Sequence, residues 1–300
     1  MEFLGILLPI FLIFGIGYIG QKTIGFDVRN LSTMALYLLS PVLVFRTFYG
    51  IELQWTHLYM FLYCMGLFLS LVLLTTLIGR AKGYNTPETC GMILASVFMN
   101  GGNYGVPLVL FVFGNEGLDY AVFLMVVQAL LMSTMGVYYA AKGSPEGGGV
   151  RSALTAVRRV PVAYGVLVGL AFTWLGVPLS EPILQAVDLV ANATIPIIMI
   201  VLGMQLAQIS IRKLKLEKLS YSLSLKMLVS PAIALVITLL LPVEPMLKQI
   251  MILIAAMPTA ANTTLLALQF QTDADFVSSA TLISTSLSVI TLPLLMFWLV

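Results

Sequence analysis

Two short segments carry most of the polar chemistry of an otherwise oily chain. Asn100-Gly101-Gly102-Asn103-Tyr104-Gly105-Val106-Pro107 and Pro258-Thr259-Ala260-Ala261-Asn262-Thr263-Thr264 each interrupt a long apolar run. Gly and Pro disfavour helix interiors, while Asn and Thr can satisfy local backbone groups with their own side chains. An interrupted backbone at membrane depth costs several kcal/mol per unsatisfied group unless it is buried in protein or lines a cavity. Two such interruptions point to a site; kinks packed against neighbours are the simpler alternative. Each interruption begins a second half-helix with free N–H groups, and Asn103 and Asn262 stand close to those starts, a favoured place for Asn as a cap or a donor. Positive helix ends with neutral amide donors suit an anion, in particular a carboxylate. Gly102, Tyr104, Gly105, Thr259 and Thr263 complete the candidate substrate-binding set, with Pro107 and Pro258 as the helix breakers. The preceding half-helices end at the same places and offer carbonyl oxygens to a cation such as sodium, although neither segment contains Asp or Glu.

The chain that must position these segments has 300 residues, of which 60% are hydrophobic and 9% charged. Its mean hydropathy is +1.02. An ordinary soluble domain has about 25% charged residues, so this composition excludes a large aqueous catalytic module and fits a polytopic membrane protein. Apolar runs bounded by charges or Gly/Pro clusters predict spans near 3–20, 29–48, 57–79, 88–113, 118–141, 160–176, 182–208, 219–241, 246–270 and 276–299. The first run lacks a basic leader and a small-residue cleavage site, and is expected to be a retained span. One stretch reads as a linker, the Gly-rich segment 142–151, with five spans on either side. The expected fold is thus all-α, with a first five-helix repeat over 1–141 and a second over 152–300.

An odd number of spans per half means that similar halves enter the membrane in opposite senses. The halves do match. Met92-Ile93-Leu94 falls on Met251-Ile252-Leu253, Asn103 on Asn262 and Ala121 on Ala280, all at an offset of 159. Pro9 and Gly17 of span one are spaced like Pro161 and Gly169 of span six, and Pro41 of span two corresponds to Pro196 of span seven. Inverted repeats bring the breaks of spans four and nine together from opposite leaflets, so these spans are expected to cross. Lys and Arg set the orientation: with the N-terminus outside, Arg46 and Lys248 are the outer basic residues, and the other thirteen fall on the inner side. Both termini are therefore expected to be extracytoplasmic.

Other signals carry less. The Gly15–Gly20 segment matches a dinucleotide fingerprint without the strand and acid that must accompany it. Gly165 and Gly169 form a small-xxx-small pair suited to close helix packing. Cys64 and Cys90 lack metal-ligand spacing and are expected to be buried thiols. His57 stands at a span end, and Lys226, near an end of span eight, is expected to snorkel. Asp188 and Asn192 share one face of span seven, where an acid could couple protons or ions, although an interfacial position is the simpler reading. No metal site, cofactor or nucleic-acid partner is indicated.

The Gly102–Leu108 segment GNYGVPL, the Phe113–Gly117 segment FGNEG and the Pro258–Phe270 segment PTAANTTLLALQF resemble the auxin efflux carrier family, in particular its prokaryotic members, and the resemblance covers nearly the whole chain. That resemblance implies a secondary transporter, an exporter, of small organic acid anions in a bacterial or archaeal plasma membrane. It implies a scaffold of spans one, two, six and seven, an elevating transport domain from the rest, and homodimers embedded in lipid. It assigns Asn103 and Asn262 to the substrate carboxylate. The chain departs from the plant PIN carriers in lacking their long cytoplasmic loop and an acid within span three. A sodium-coupled organic anion symporter resembling the bile-acid carriers shares the five-plus-five plan and is the alternative. An intramembrane enzyme would need paired acids, a His cluster or an activated nucleophile within the spans, which the sequence lacks.

Overall fold

The computed structural model describes residues 2–145, 161–209 and 216–299. The linker expected at 142–151 lies outside the described residues from 146 onward, as do residues 210–215 of the basic loop before span eight. Among the described residues the chain forms helices α1 (Glu2–Ile24), α2 (Val28–Phe48), α3 (Trp55–Ala81), α4 (Thr86–Val97), α5 (Gly101–Lys142), α6 (Pro161–Trp174), α7 (Glu181–Gln208), α8 (Leu216–Leu240), α9 (Pro245–Ala255), α10 (Ala261–Phe270) and α11 (Ala274–Leu299). Of these, α2, α3, α5, α7, α8 and α11 are long and apolar enough to cross a membrane; α1, α6 and α9 have shorter apolar stretches. Large side chains such as Ile16, Leu73, Leu240 and Phe297 face outward, as hydrocarbon permits and water does not.

The apolar runs four and five do not end where spacing suggested. The first splits into α4 and the start of α5, and α5 continues into the fifth run through a bend at Gly114, where φ is 68°, a left-handed conformation that glycine adopts without a Cβ clash. The run at 246–270 likewise divides into α9 and α10.

Three prolines inside helices are accommodated by one recurring device, whereas Pro9, Pro196 and Pro293 lie in regular helix. Three π turns, Ala35–Leu39, Gly101–Gly105 and Leu225–Val229, each end two residues before a proline: Pro41, Pro107 and Pro231. A proline cannot donate to the carbonyl four residues back and its ring crowds that oxygen; widening the preceding turn relieves the conflict without ending the helix. Pro107 is therefore not where the helix breaks. It stands at the second position of regular helix after its π turn, and the interruption lies upstream at residues 98–100.

Helices α1 and α7 pack along their lengths, as do α2 and α6, with α2 also against α7. The first pair touches backbone to backbone: a Cβ on Gly17 would stand 2.0 Å from the Ile200 carbonyl oxygen. Gly165 makes the same kind of approach in the second pair, 2.4 Å from the Pro41 oxygen, so its small-residue motif serves a contact within the chain. Helix α8 packs against α3, α4, α9 and α11. Lys82 donates to Glu217 at 2.6 Å, which raises the pKa of that ammonium above its ordinary value; Lys218 pairs with Asp273 nearby. Cys64 and Cys90 are both buried free thiols.

Candidate functional site

Helix α4 starts at a capping box, in which the Asn85 side chain accepts from the Glu88 N–H at 2.9 Å and Glu88 accepts from the Asn85 N–H. It ends at Val97, where the chain turns extended (Phe98 φ −89°, ψ 119°). Helix α9 ends at Ala255, and Ala260 is extended in its turn (φ −65°, ψ 129°). The two extended stretches meet as an antiparallel bridge between Met99 and Thr259. The Asn100 N–H donates to the Pro258 carbonyl at 2.8 Å, and the Ala260 N–H donates to the Phe98 carbonyl at 3.1 Å. Thr259 adds two bonds: its hydroxyl donates to the Ala95 carbonyl at 2.6 Å, and its N–H donates to Ser284 Oγ at 3.1 Å. Backbone groups that each break frees are thus satisfied by the opposite break, which is what a buried interruption requires.

Beyond this clasp each second half-helix begins. The N–H groups of Tyr104 and Gly105 donate to the Asn100 carbonyl, at 3.3 and 3.0 Å; those of Gly101, Gly102 and Asn103 precede the first helical bond. In α10 the Thr263 N–H and hydroxyl both donate to the Ala260 carbonyl, at 3.0 and 2.7 Å, and the N–H groups of Ala261 and Asn262 precede them. Asn103 and Asn262 are both half-buried. Their side chains make no hydrogen bond among the described residues, so neither caps its own helix.

The remaining sequence-derived residues divide into those around the clasp and those elsewhere. Tyr104 is fully buried, edge-on to Phe14 with ring centroids 5.0 Å apart, and accepts from Ser288 Oγ at 3.0 Å. It braces the start of α5. A Cβ on Gly105 would stand 2.6 Å from Ile254 of α9, and one on Gly102 3.2 Å from Met125. Asp188 and Asn192 lie apart on α7. Asp188 accepts from Arg46 Nε of α2 at 2.7 Å, and Asn192 is exposed.

Two buried amides were not singled out by spacing. Asn100 Nδ2 and Gln128 Oε1 are both buried without a hydrogen-bond partner. A Cβ on Gly101 would stand 2.1 Å from Gln128 Oε1, so the Gln128 amide lies on the backbone at the start of α5. Gln128 also lines a small cavity of about 20 Å³ with Cys64, Leu67, Phe98, Met99 and Met132. The unpaired Gln128 oxygen beside this otherwise apolar cavity has a bonding capacity that a water can meet. The available signal was that Gln128 is the sole amide in its apolar run. A second, wider cavity of about 380 Å³ is lined by Arg46, Thr47, His57, Asp119 and Tyr120 among others. Lys226 does not snorkel. It is fully buried and its ammonium has no hydrogen-bond partner.

Comparison with known proteins agrees with this architecture. The family described as membrane transport protein matches residues 3–148 and 150–296. An uncharacterised transporter of Methanothermobacter thermautotrophicus is 28% identical over 283 residues, covering 93% of this chain and 90% of that protein. A Rhizobium meliloti protein provisionally named a malonate transporter is 26% identical over 306 residues, covering 99% of this chain and 95% of its own. An uncharacterised transporter of Methanocaldococcus jannaschii is 26% identical over 207 residues, covering 68% and 66%. With nearly its whole length matched, the chain is an integral membrane protein that belongs to the membrane transport protein family, the group that includes the auxin efflux carriers.

Proposed function

We propose that the protein is a secondary transporter that exports a small organic acid anion, whose carboxylate binds between the N-termini of α5 and α10. The observation that carries this reading is the state of the two asparagines. The clasp consumes the backbone and Thr259, yet leaves Asn103 and Asn262 with amide donors unused beside free N–H groups. Neutral donors and helix dipoles hold a carboxylate without the desolvation cost of a buried ion pair, which lets the anion leave again.

In the same reading the chain crosses the membrane ten times as two inverted repeats, with both termini outside. The clasp supports this: the offset of 159 that relates the halves carries Met99 to Pro258 and Asn100 to Thr259, so the bridge falls on the local two-fold. Spans one, two, six and seven form the scaffold, which the close backbone contacts of α1 with α7 and of α2 with α6 support. The other six move as the transport domain in an elevator-type cycle, and the protein works as a homodimer. Malonate is a suitable first ligand, given the name of the Rhizobium meliloti relative. Counterflow of labelled malonate in proteoliposomes, compared with other mono- and dicarboxylates, tests the reading. Saturable exchange of at least one of them is expected, and none with any would overturn it.

A further inference from the structure

Helix α8 carries a lysine where a membrane helix can least accommodate a charge. Lys226 is the eleventh of the 25 residues of Leu216–Leu240, is fully buried, and its Nζ has no hydrogen-bond partner. The charged residues and the histidine on the elements packed against it are His57 and Arg80 of α3, Glu88 of α4, Lys248 of α9 and Asp275 of α11, with Glu217 and Lys218 on α8 itself. All of these stand in a terminal turn of their helix. Glu217 pairs with Lys82, and Asp273 with Lys218. No carboxylate on these helices is placed to neutralise Lys226.

Two serines on its own face identify its surroundings. Four residues before it, Ser222 Oγ bonds Ser96 Oγ at 2.8 Å, and Ser96 is the penultimate residue of α4. Four residues after it, Ser230 Oγ donates to the Ala255 carbonyl at 2.8 Å, and Ala255 is the last residue of α9. Lys226 therefore stands at the level where α4 and α9 both end, between the two contacts. Each helix C-terminus carries about half a negative charge, and two together amount to about one. Such converging ends of broken helices are where carriers of this type coordinate sodium. The π turn Leu225–Val229, which contains Lys226, packs against α4 and α11.

We propose that Lys226 is a built-in counter-cation: its ammonium neutralises the C-terminal ends of α4 and α9 in the seat that a coupling sodium ion would otherwise take, and transport is therefore independent of sodium. This rests on the reading of the paired breaks as the transport site. It also separates the protein from sodium-coupled carriers of the same plan.

The test uses the purified full-length protein in nanodiscs, in sodium chloride or choline chloride at equal ionic strength, with thermal unfolding and malonate binding measured in both. For the wild type, the unfolding midpoint and the malonate Kd are expected to be the same in the two salts. Lys226→Met, of similar length and uncharged, is expected to bind malonate at least tenfold more weakly in choline and to recover part of that loss in sodium or methylammonium. Lys226→Arg is expected to bind as the wild type does, in either salt. A wild-type midpoint or affinity that rises with sodium would overturn the proposal even if neither variant folds, and so would a Lys226→Met protein that binds malonate normally in choline. If malonate binds none of the proteins, the carboxylate reading fails by itself; sodium dependence of the wild-type and Lys226→Met midpoints then still decides the role of Lys226, with sodium stabilising only the variant if the proposal holds.

Discussion

A Cβ on Gly203 of α7 would stand 2.0 Å from the carbonyl oxygen of Phe14 on α1. Gly17 of α1 makes the reciprocal approach to Ile200 of α7, so each helix contributes a glycine to the other's backbone. The contact lets two helices lie closer than any side chain permits.

Gly203→Ala is expected to force α1 and α7 apart and to destabilise the protein by about 1–3 kcal/mol or more, the usual range for overpacking. Gly15→Ala is the control, because a Cβ there meets nothing within 4 Å, and alanine is the better helix former. Thermal unfolding of the two purified variants distinguishes them. Equal midpoints would mean that the pair separates at no cost.

Asn103→Ala and Asn262→Ala are each expected to weaken carboxylate binding about tenfold or more, since hydrogen bonds to a charged group are worth about 1.5–3 kcal/mol. The double variant should show coupled losses, because both amides address one ligand group. Neither side chain caps its own helix, so the midpoints of the free proteins should change little. Calorimetric titration with malonate provides the affinities, and unchanged values in both single variants would leave the clasp as scaffold alone.

Thr259→Val removes the hydroxyl that donates to the Ala95 carbonyl at 2.6 Å and keeps the side-chain volume. The buried carbonyl then lacks that donor, at a cost of about 1–3 kcal/mol. A lowered unfolding midpoint is the expected result; a midpoint equal to the wild type's would show that the clasp relies on its backbone bonds.

Orientation is open to a direct check. Of the fifteen basic residues, twelve lie on one side under alternating topology, two on the other, and Lys226 is buried within its span, so a cysteine introduced at Gly147 is expected to resist an impermeant thiol reagent in intact cells and to react after permeabilisation. Labelling in intact cells would reverse the assignment.

The interruptions were legible because Gly, Pro and Asn have few other uses inside an apolar run. Their location was less so. Pro107 is the strongest breaker by residue type, yet a π turn absorbs it, and the chain opens at Phe98–Asn100, where only Asn100 departs from the apolar pattern. The pairing of Met99 with Thr259 could not be read locally, because an extended residue does not encode its partner. For the same reason the Arg46 that α2 brings beside Asp188 could not be read from span seven alone. Lys226 stands near a span end in the sequence yet is fully buried, because which way a helix face points is decided by the helices packed on it.

The clasp also bears on how the chain is made. Ala260 follows Phe98 by 162 residues. At about 5–20 residues per second, synthesis leaves the first break without its partner for roughly 8–30 s. During that interval the N–H of Asn100 and the carbonyl of Phe98 must be tended by water in the insertion machinery, by lipid headgroups or by a chaperone. A ribosome that stalls midway releases a product whose first half holds an open wound in the bilayer, so the two halves, however alike, mature together.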